Sequence, residues 1–186
     1  MANARAAGSA PTVDLRETFG RALGDFPELA KKVGALSAFL AEEKKWREVG
    51  IWNNGQRWAG GEQKRFAAIL NEQRWVVGLE GVRLEEKLSA AAAGHSREMV
   101  ALKYFAHESP VAKNKGFGER AKNAGYEGEA SGECIFMGSR SPEAAYGGWW
   151  GSDGHRMILF MGGVNALGVG TGGTESWTLN MGKKGW

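Results

Sequence analysis

The sequence predicts a mixed α+β fold: a layered domain in which helices precede, separate and surround a few short strands, preceded by a helical extension. Three observations carry this expectation. Apolar residues recur at helical steps through much of the stretch between residues 14 and 104. Ser141-Pro142-Glu143 is a helix start, a capping residue followed by proline at the first helical position. Two β-type runs, 167–171 and 176–181, flank Gly172-Gly173 as in a hairpin. With 42% apolar and 24% charged residues in 186, the chain can bury the core of one medium domain plus an appendage, and disorder is excluded.

Residues 1–13, rich in Ala, Gly, Ser and Pro without hydrophobic period, read as a flexible leader with no function of their own. Asp14 then reads as an N-cap, and Leu15, Phe19, Leu23 and Phe26 fall on one helical face. Pro27 interrupts and restarts the helix, and Leu29, Val33, Leu36, Phe39 and Leu40 continue it toward Gly50. Residues 14–50 are therefore expected to form an αα-hairpin that packs on the main domain or on a second copy, so residues 14–49 are the candidate for self-association. Residues 51–61, with Asn53-Asn54-Gly55 and Gly60-Gly61, read as a linker, and residues 62–186 as the main domain.

Within that domain, Phe66, Ile69, Leu70 and Gln73 mark a first helix, and a loop around Gly78 and Gly81 leads to a stronger one over 84–104. The second helix's apolar face is Leu88, Ala91, Ala92, His95, Met99 and Leu102. A third helix follows Gly116-Phe117 and is closed by Gly125, residues 132–137 read as a strand, and the helix begun at Ser141 runs to about Trp150.

Composition narrows the function classes. The net charge is only +3 and no Lys/Arg run is long enough to track a phosphate backbone, which argues against nucleic acid. No stretch approaches the ~18 consecutive apolar residues of a membrane span. The first residues lack the apolar core of a signal peptide, so export by this chain's own start is not expected. Cys134 is the single cysteine, which rules out an internal disulfide.

Three segments in order bear a resemblance: Tyr104-Phe105-Ala106-His107-Glu108-Ser109-Pro110, Gly132-Glu133-Cys134-Ile135 and Trp149-Trp150-Gly151-Ser152-Asp153-Gly154-His155-Arg156. Arg120 and Gly125-Tyr126 lie between the first two, and Gly168-Val169-Gly170 and Trp177-Thr178 follow the third. From Phe66 to the end the chain resembles the CAP superfamily of cysteine-rich secretory proteins, venom antigens and pathogenesis-related proteins, in its compact bacterial form. The resemblance implies an α/β/α sandwich, a secreted or extracytoplasmic location, and a cleft lined by two histidines and two glutamates. The first histidine falls on His107, the first glutamate on Glu133 and the second histidine on His155. The second glutamate's position falls near Ser152, with Asp153 beside it, and Cys134 replaces the family's usual Asn.

Two His and one Glu form a ligand set found in catalytic zinc sites, so zinc or another divalent ion is the cofactor that His107, Glu133 and His155 would take. Three readings of the set stand: a hydrogen-bonded cluster that holds its loops, a metal site, and a metal-assisted, peptidase-like hydrolase. Ser152, Asp153, Trp149 and Trp150 would line the cleft, one tryptophan serving the core and the other the wall. His95, in phase with Leu88, Ala92 and Met99, reads as a packing residue, and Cys134 as a buried thiol. The function expected is a binding or interaction module for a small molecule, a lipid or a protein.

Overall fold

A computed structural model describes residues 27–186; side chains at 27–30, 32, 33 and 39 are outside the description, as is the helix expected over 14–26. Two compact units meet at Lys44/Lys45. In the first, residues 27–44 belong to helix α1 (Pro27–Gly55), which has proline at its first position, and Leu36 and Leu40 are 56% and 51% exposed.

The second unit begins with the end of α1, and here the structure differs from the expected linker over 51–61. The helix runs through Gly50 to Gly55 because Trp46, Val49 and Asn53 form a stripe with something to pack on. A Cβ at Gly81 would stand 3.0 Å from the Trp46 ring and 3.1 Å from Val49, so the loop at Gly81 lies directly against that stripe. Tertiary contact outweighs the helix-stopping tendency of a glycine.

The remaining elements follow as α2 (Gly61–Val76), β1 (Arg83–Leu84), α3 (Glu86–Leu102), a 3-10 turn (Ala112–Asn114), α4 (Phe117–Asn123), β2 (Glu129–Met137), α5 (Pro142–Trp150), α6 (Asp153–Leu159), β3 (Ala166–Gly172) and β4 (Ser176–Lys183). One sheet has the order β1-β3-β4-β2, with β1 parallel to β3 and the other pairs antiparallel. The strand β1 and the short helix α6 were not foreseen. β1 has only two residues, and its outer edge is satisfied by side chains rather than a strand. Asn53 Nδ2 donates to Val82 O (3.1 Å) and its Oδ1 accepts from Leu84 N (2.6 Å), while Asn71 Oδ1 accepts from Val82 N (2.8 Å).

Helices cover both faces, giving the α/β/α sandwich. Side chains alternate along each strand. On one face Cys134, Leu167, Val169, Trp177, Leu179 and Met181 meet α2, α5 and α6 around Phe66, Leu70 and Trp149. On the other, α3 lies on β3 so closely that a Cβ at Gly168, Gly170 or Gly172 would overlap the backbone of Leu88, Ala93 or Ser96. Serines on α3 bind the sheet at this distance: Val169 N donates to Ser89 Oγ (3.2 Å), and Ser96 Oγ lies 2.8 Å from Thr178 Oγ1. Leu102, expected on the buried face of α3, is exposed because the helix ends there and Lys103 turns left-handed with φ 56°. The β3–β4 connection is a three-residue loop, 173–175, since Gly172 pairs with Ser176.

Candidate functional site: a buried carboxylate between two histidines

Strand β2 is an edge strand, and register places Glu133 opposite Asn180, on the α3 side of the sheet. The residue is 3% exposed, so its carboxylate must find partners within the protein. Arg120 Nη2, from α4, donates to Oε2 at 2.6 Å, and His107 Nδ1 lies 3.0 Å from Oε1. With the Asn180 amide turned so that its nitrogen faces the carboxylate, that nitrogen donates to Oε2 at 3.3 Å, the third contact of the carboxylate and the second on this oxygen.

His107 stands on an irregular segment after α3, and its side chain is 54% exposed. Two anchors hold that segment. Arg120 donates to the carbonyls of His107 (3.1 Å), Asn114 (2.7 Å) and Lys115 (3.0 Å). Glu98, on α3, accepts from Tyr104 OH (2.6 Å), Asn114 Nδ2 (2.8 Å) and the Ser109 hydroxyl. Burial pushes the Glu98 carboxyl upward, but these hydrogen bonds outweigh it and hold the group below the usual carboxylate range. Burial and the bond to Glu98 push Tyr104 up to about 12.

A carboxylate accepts only, so the neutral form of His107 carries its proton on Nδ1 and has its lone pair on Nε2. Fixing a histidine's tautomer through a carboxylate is how proteins orient imidazoles toward a ligand.

His155 lies in the first turn of α6, half-buried, and its Nδ1 is enclosed without a partner. Burial, and then the charge of His107, lower its pKa below the usual histidine value. The two imidazoles thus sense one another. His95 is wholly buried, with Nε2 3.0 Å from Ala106 O and 4.0 Å from Glu133 Oε1. Burial lowers its pKa, against the upward pull of Glu133. It is a packing residue that also closes the back of the carboxylate.

The other named residues separate. Trp149 is completely buried, its Nε1 donating to Ile135 O (2.9 Å), so it belongs to the core and not to the cleft. Trp150 is 46% exposed, stacked on Tyr146 and edge-on to Phe160. Ser152 is the N-cap residue of α6, with its hydroxyl making no capping bond. Asp153 points to solvent and pairs with Arg156, so it does not replace the second glutamate. The Cys134 thiol is buried toward the opposite core, its pKa pushed up first by burial.

The three-residue ligand set fails a test of fit. Both Glu133 oxygens are engaged, one by a guanidinium that a metal would have to displace. Among the described residues no group of three or more His, Cys, Asp or Glu is disposed to hold an ion. In this arrangement the Glu133 carboxylate is turned to Arg120 and to Nδ1 of His107. Residues not foreseen from the sequence as part of this site are Arg120, Glu98 and Tyr104; the signal for Arg120 was the need of a buried strand carboxylate for a cation.

A helix–sheet–helix sandwich with a carboxylate–histidine pair at its free edge and a second histidine nearby defines a CAP-type domain. Residues 68–180 match the model of the CAP family, the cysteine-rich secretory protein family, and the chain belongs to it. It is 30% identical over 108 residues to the uncharacterized protein YkwD of Bacillus subtilis, covering 58% of this chain and 41% of that one. It is 27% identical over 128 residues to the uncharacterized membrane protein YlbC of the same bacterium, 69% of this chain and 34% of that one. The chain therefore matches less than half the length of these relatives. An extracellular protein with an SCP domain from Bacillus anthracis superposes with a TM-score of 0.61 at 28% identity, over 65% of this chain and 40% of that one. An outer surface protein of Borrelia burgdorferi shares the fold, with a TM-score of 0.59 at 14% identity over 67% and 93% of the two chains. Among the described residues no helix is long and apolar enough to cross a membrane.

Proposed function

We propose that this is an extracytoplasmic CAP-domain binding module of bacterial type, whose cleft presents the imidazoles of His107 and His155 to a polar ligand. The observation that carries it is the buried Arg120–Glu133–His107 chain. It fixes one tautomer of a solvent-facing histidine while leaving no free carboxylate to act as a base. The location is supported by solved neighbours described as extracellular and outer surface proteins. Zinc or another divalent ion, where one binds, would be held by the two imidazoles with water completing the set, and Glu133 would orient His107 from behind.

The test is zinc calorimetry together with protease assays on fluorogenic casein, using the wild type, His107→Ala/His155→Ala and Glu133→Gln. A zinc heat lost in the double variant, with no turnover above that variant's background, is the expected outcome. Zinc-dependent turnover that disappears in His107→Ala would overturn the binding reading in favour of the hydrolase. Equal zinc heats in wild type and double variant would remove the metal and leave the imidazoles as hydrogen-bonding groups.

A further inference from the structure

A second pocket, of about 600 Å³, opens where α3 ends over the last rung of the sheet. That volume lies within the ~300–1,000 Å³ of small-molecule sites. Its walls are Met99, Val100, Phe105 and Met137, and the last three present large apolar surfaces to solvent at its mouth. None of these residues belongs to the His107–Glu133–His155 cleft.

Three polar groups distinguish this pocket from a plain apolar dent. Ser176 lines it, is buried, and its Oγ has no hydrogen-bond partner. Thr178, two residues on and facing the same side of the sheet, has its hydroxyl satisfied by Ser96 at 2.8 Å, so the orphan is a property of the pocket and not of the strand. A buried hydroxyl without a partner is costly, and a ligand atom at that depth would relieve it. Lys103 and Glu175 also line the pocket, one cation and one anion, both exposed, and among the described residues neither takes part in an ion pair. Lys103 holds φ at 56°, making it the one left-handed residue other than glycine among those described. Of the other hydroxyls in the lining, Tyr104 OH is committed to Glu98 and that of Thr174 lies on the exposed loop 173–175.

We propose that this pocket binds a free hydroxylated aromatic amino acid, tyrosine being the simplest. The aromatic ring would sit between the Met99 and Met137 thioethers, which favour aromatic contacts. Its hydroxyl would meet Ser176 Oγ, its carboxylate Lys103 and its ammonium Glu175. One buried hydroxyl, one cation, one anion and an apolar middle match the four parts of that molecule. An acyl chain would use the walls and leave Ser176 and Glu175 unmatched.

The test is calorimetric titration of the whole chain with L-tyrosine, L-phenylalanine, tyramine, 4-hydroxyphenylpropionate and decanoate. Tyrosine is expected to bind about five- to tenfold more tightly than phenylalanine, the worth of one hydrogen bond. Ser176→Ala is expected to bring that ratio to about one while phenylalanine binding is kept. Lys103→Gln should weaken tyrosine and 4-hydroxyphenylpropionate but spare tyramine, and Glu175→Gln should weaken tyrosine and tyramine but spare 4-hydroxyphenylpropionate. Both are surface changes outside the core, and circular dichroism confirms that each variant is folded. The proposal is overturned by no binding heat for any compound, by decanoate binding more tightly than tyrosine, or by a tyrosine preference that survives Ser176→Ala.

Discussion

Replacing Arg120 by methionine keeps the apolar stem and removes the guanidinium that neutralises Glu133. In the native protein the two side chains are 4% and 1% exposed and meet at 2.6 Å. The same guanidinium donates to the carbonyls of Asn114, Lys115 and His107. Leaving a buried charge without its partner costs about 3–5 kcal/mol. Against a typical total of about 5–15 kcal/mol that is a large share of the stability. Arg120 Nε is itself buried without a partner, so part of the arginine's own desolvation is uncompensated in the wild type. Removing both charges together should therefore cost less than the sum: Arg120→Met/Glu133→Gln is expected to regain about 2 kcal/mol relative to additivity. The assay is urea unfolding at pH 7 for the four members of the cycle, read as a shift of midpoint at constant m value. A loss below 1 kcal/mol for Arg120→Met, or additivity within about 0.5 kcal/mol, would refute the account of the site as an ion pair that holds a histidine.

Gly170→Ala puts a Cβ onto the Ala93 backbone, which cannot move without separating α3 from β3, and should cost about 3 kcal/mol or more in the same unfolding assay. The pKa values of His95 and His155 are both lowered in the folded state, so the unfolded chain takes up protons first as the pH falls through about 6.5. Their contribution to stability is complete above that pH and declines below it; NMR titration midpoints for both below 6.5 are expected, and a midpoint at or above that value would contradict the burial argument. Self-association through residues 14–49, an expectation from the sequence, would draw on exposed apolar side chains such as Leu36 and Leu40, so Leu36→Glu/Leu40→Glu should lower the molar mass in light scattering, and an unchanged mass would remove it.

Much of the domain was legible because its signals are local. Ser141 Oγ does accept from Ala144 N at 3.3 Å, Pro142 is the first residue of α5, and Gly125 closes the turn after α4 with φ 82°. The parts that were not legible depend on contacts remote in sequence. Nothing near Asn53 announces that its amide will complete the edge of β1, 29 to 31 residues away. A turn-like Asn-Asn-Gly read from local propensity becomes the end of a helix once Trp46 and Val49 find Gly81. The same holds for the glycines of β3. As a turn or flexibility signal Gly168-Val169-Gly170 says little; as a surface without side chains it decides how near α3 can lie to the sheet.

The candidate site shows the same division at higher stakes. The residue types His107, Glu133 and His155 could be named from their segments, yet their roles could not, because a carboxylate's chemistry is decided by what already occupies its oxygens. Had Arg120 been absent, Glu133 would have been free to bind a cation or act as a base. With Arg120 on one oxygen and His107 on the other, it becomes a fixed support whose effect is delivered through an imidazole. The support itself is held by a second layer equally silent in the sequence, in which Glu98 ties Tyr104, Ser109 and Asn114 to α3. Glu98→Gln tests that layer. It removes the charge that three donors converge on, so the segment carrying His107 should loosen while the Arg120–Glu133 pair stays in place. Amide exchange should accelerate over residues 104–114 and remain slow along β2. Equal acceleration in both would show that the two anchors act as one unit, and no acceleration in either would show that Arg120 alone positions His107.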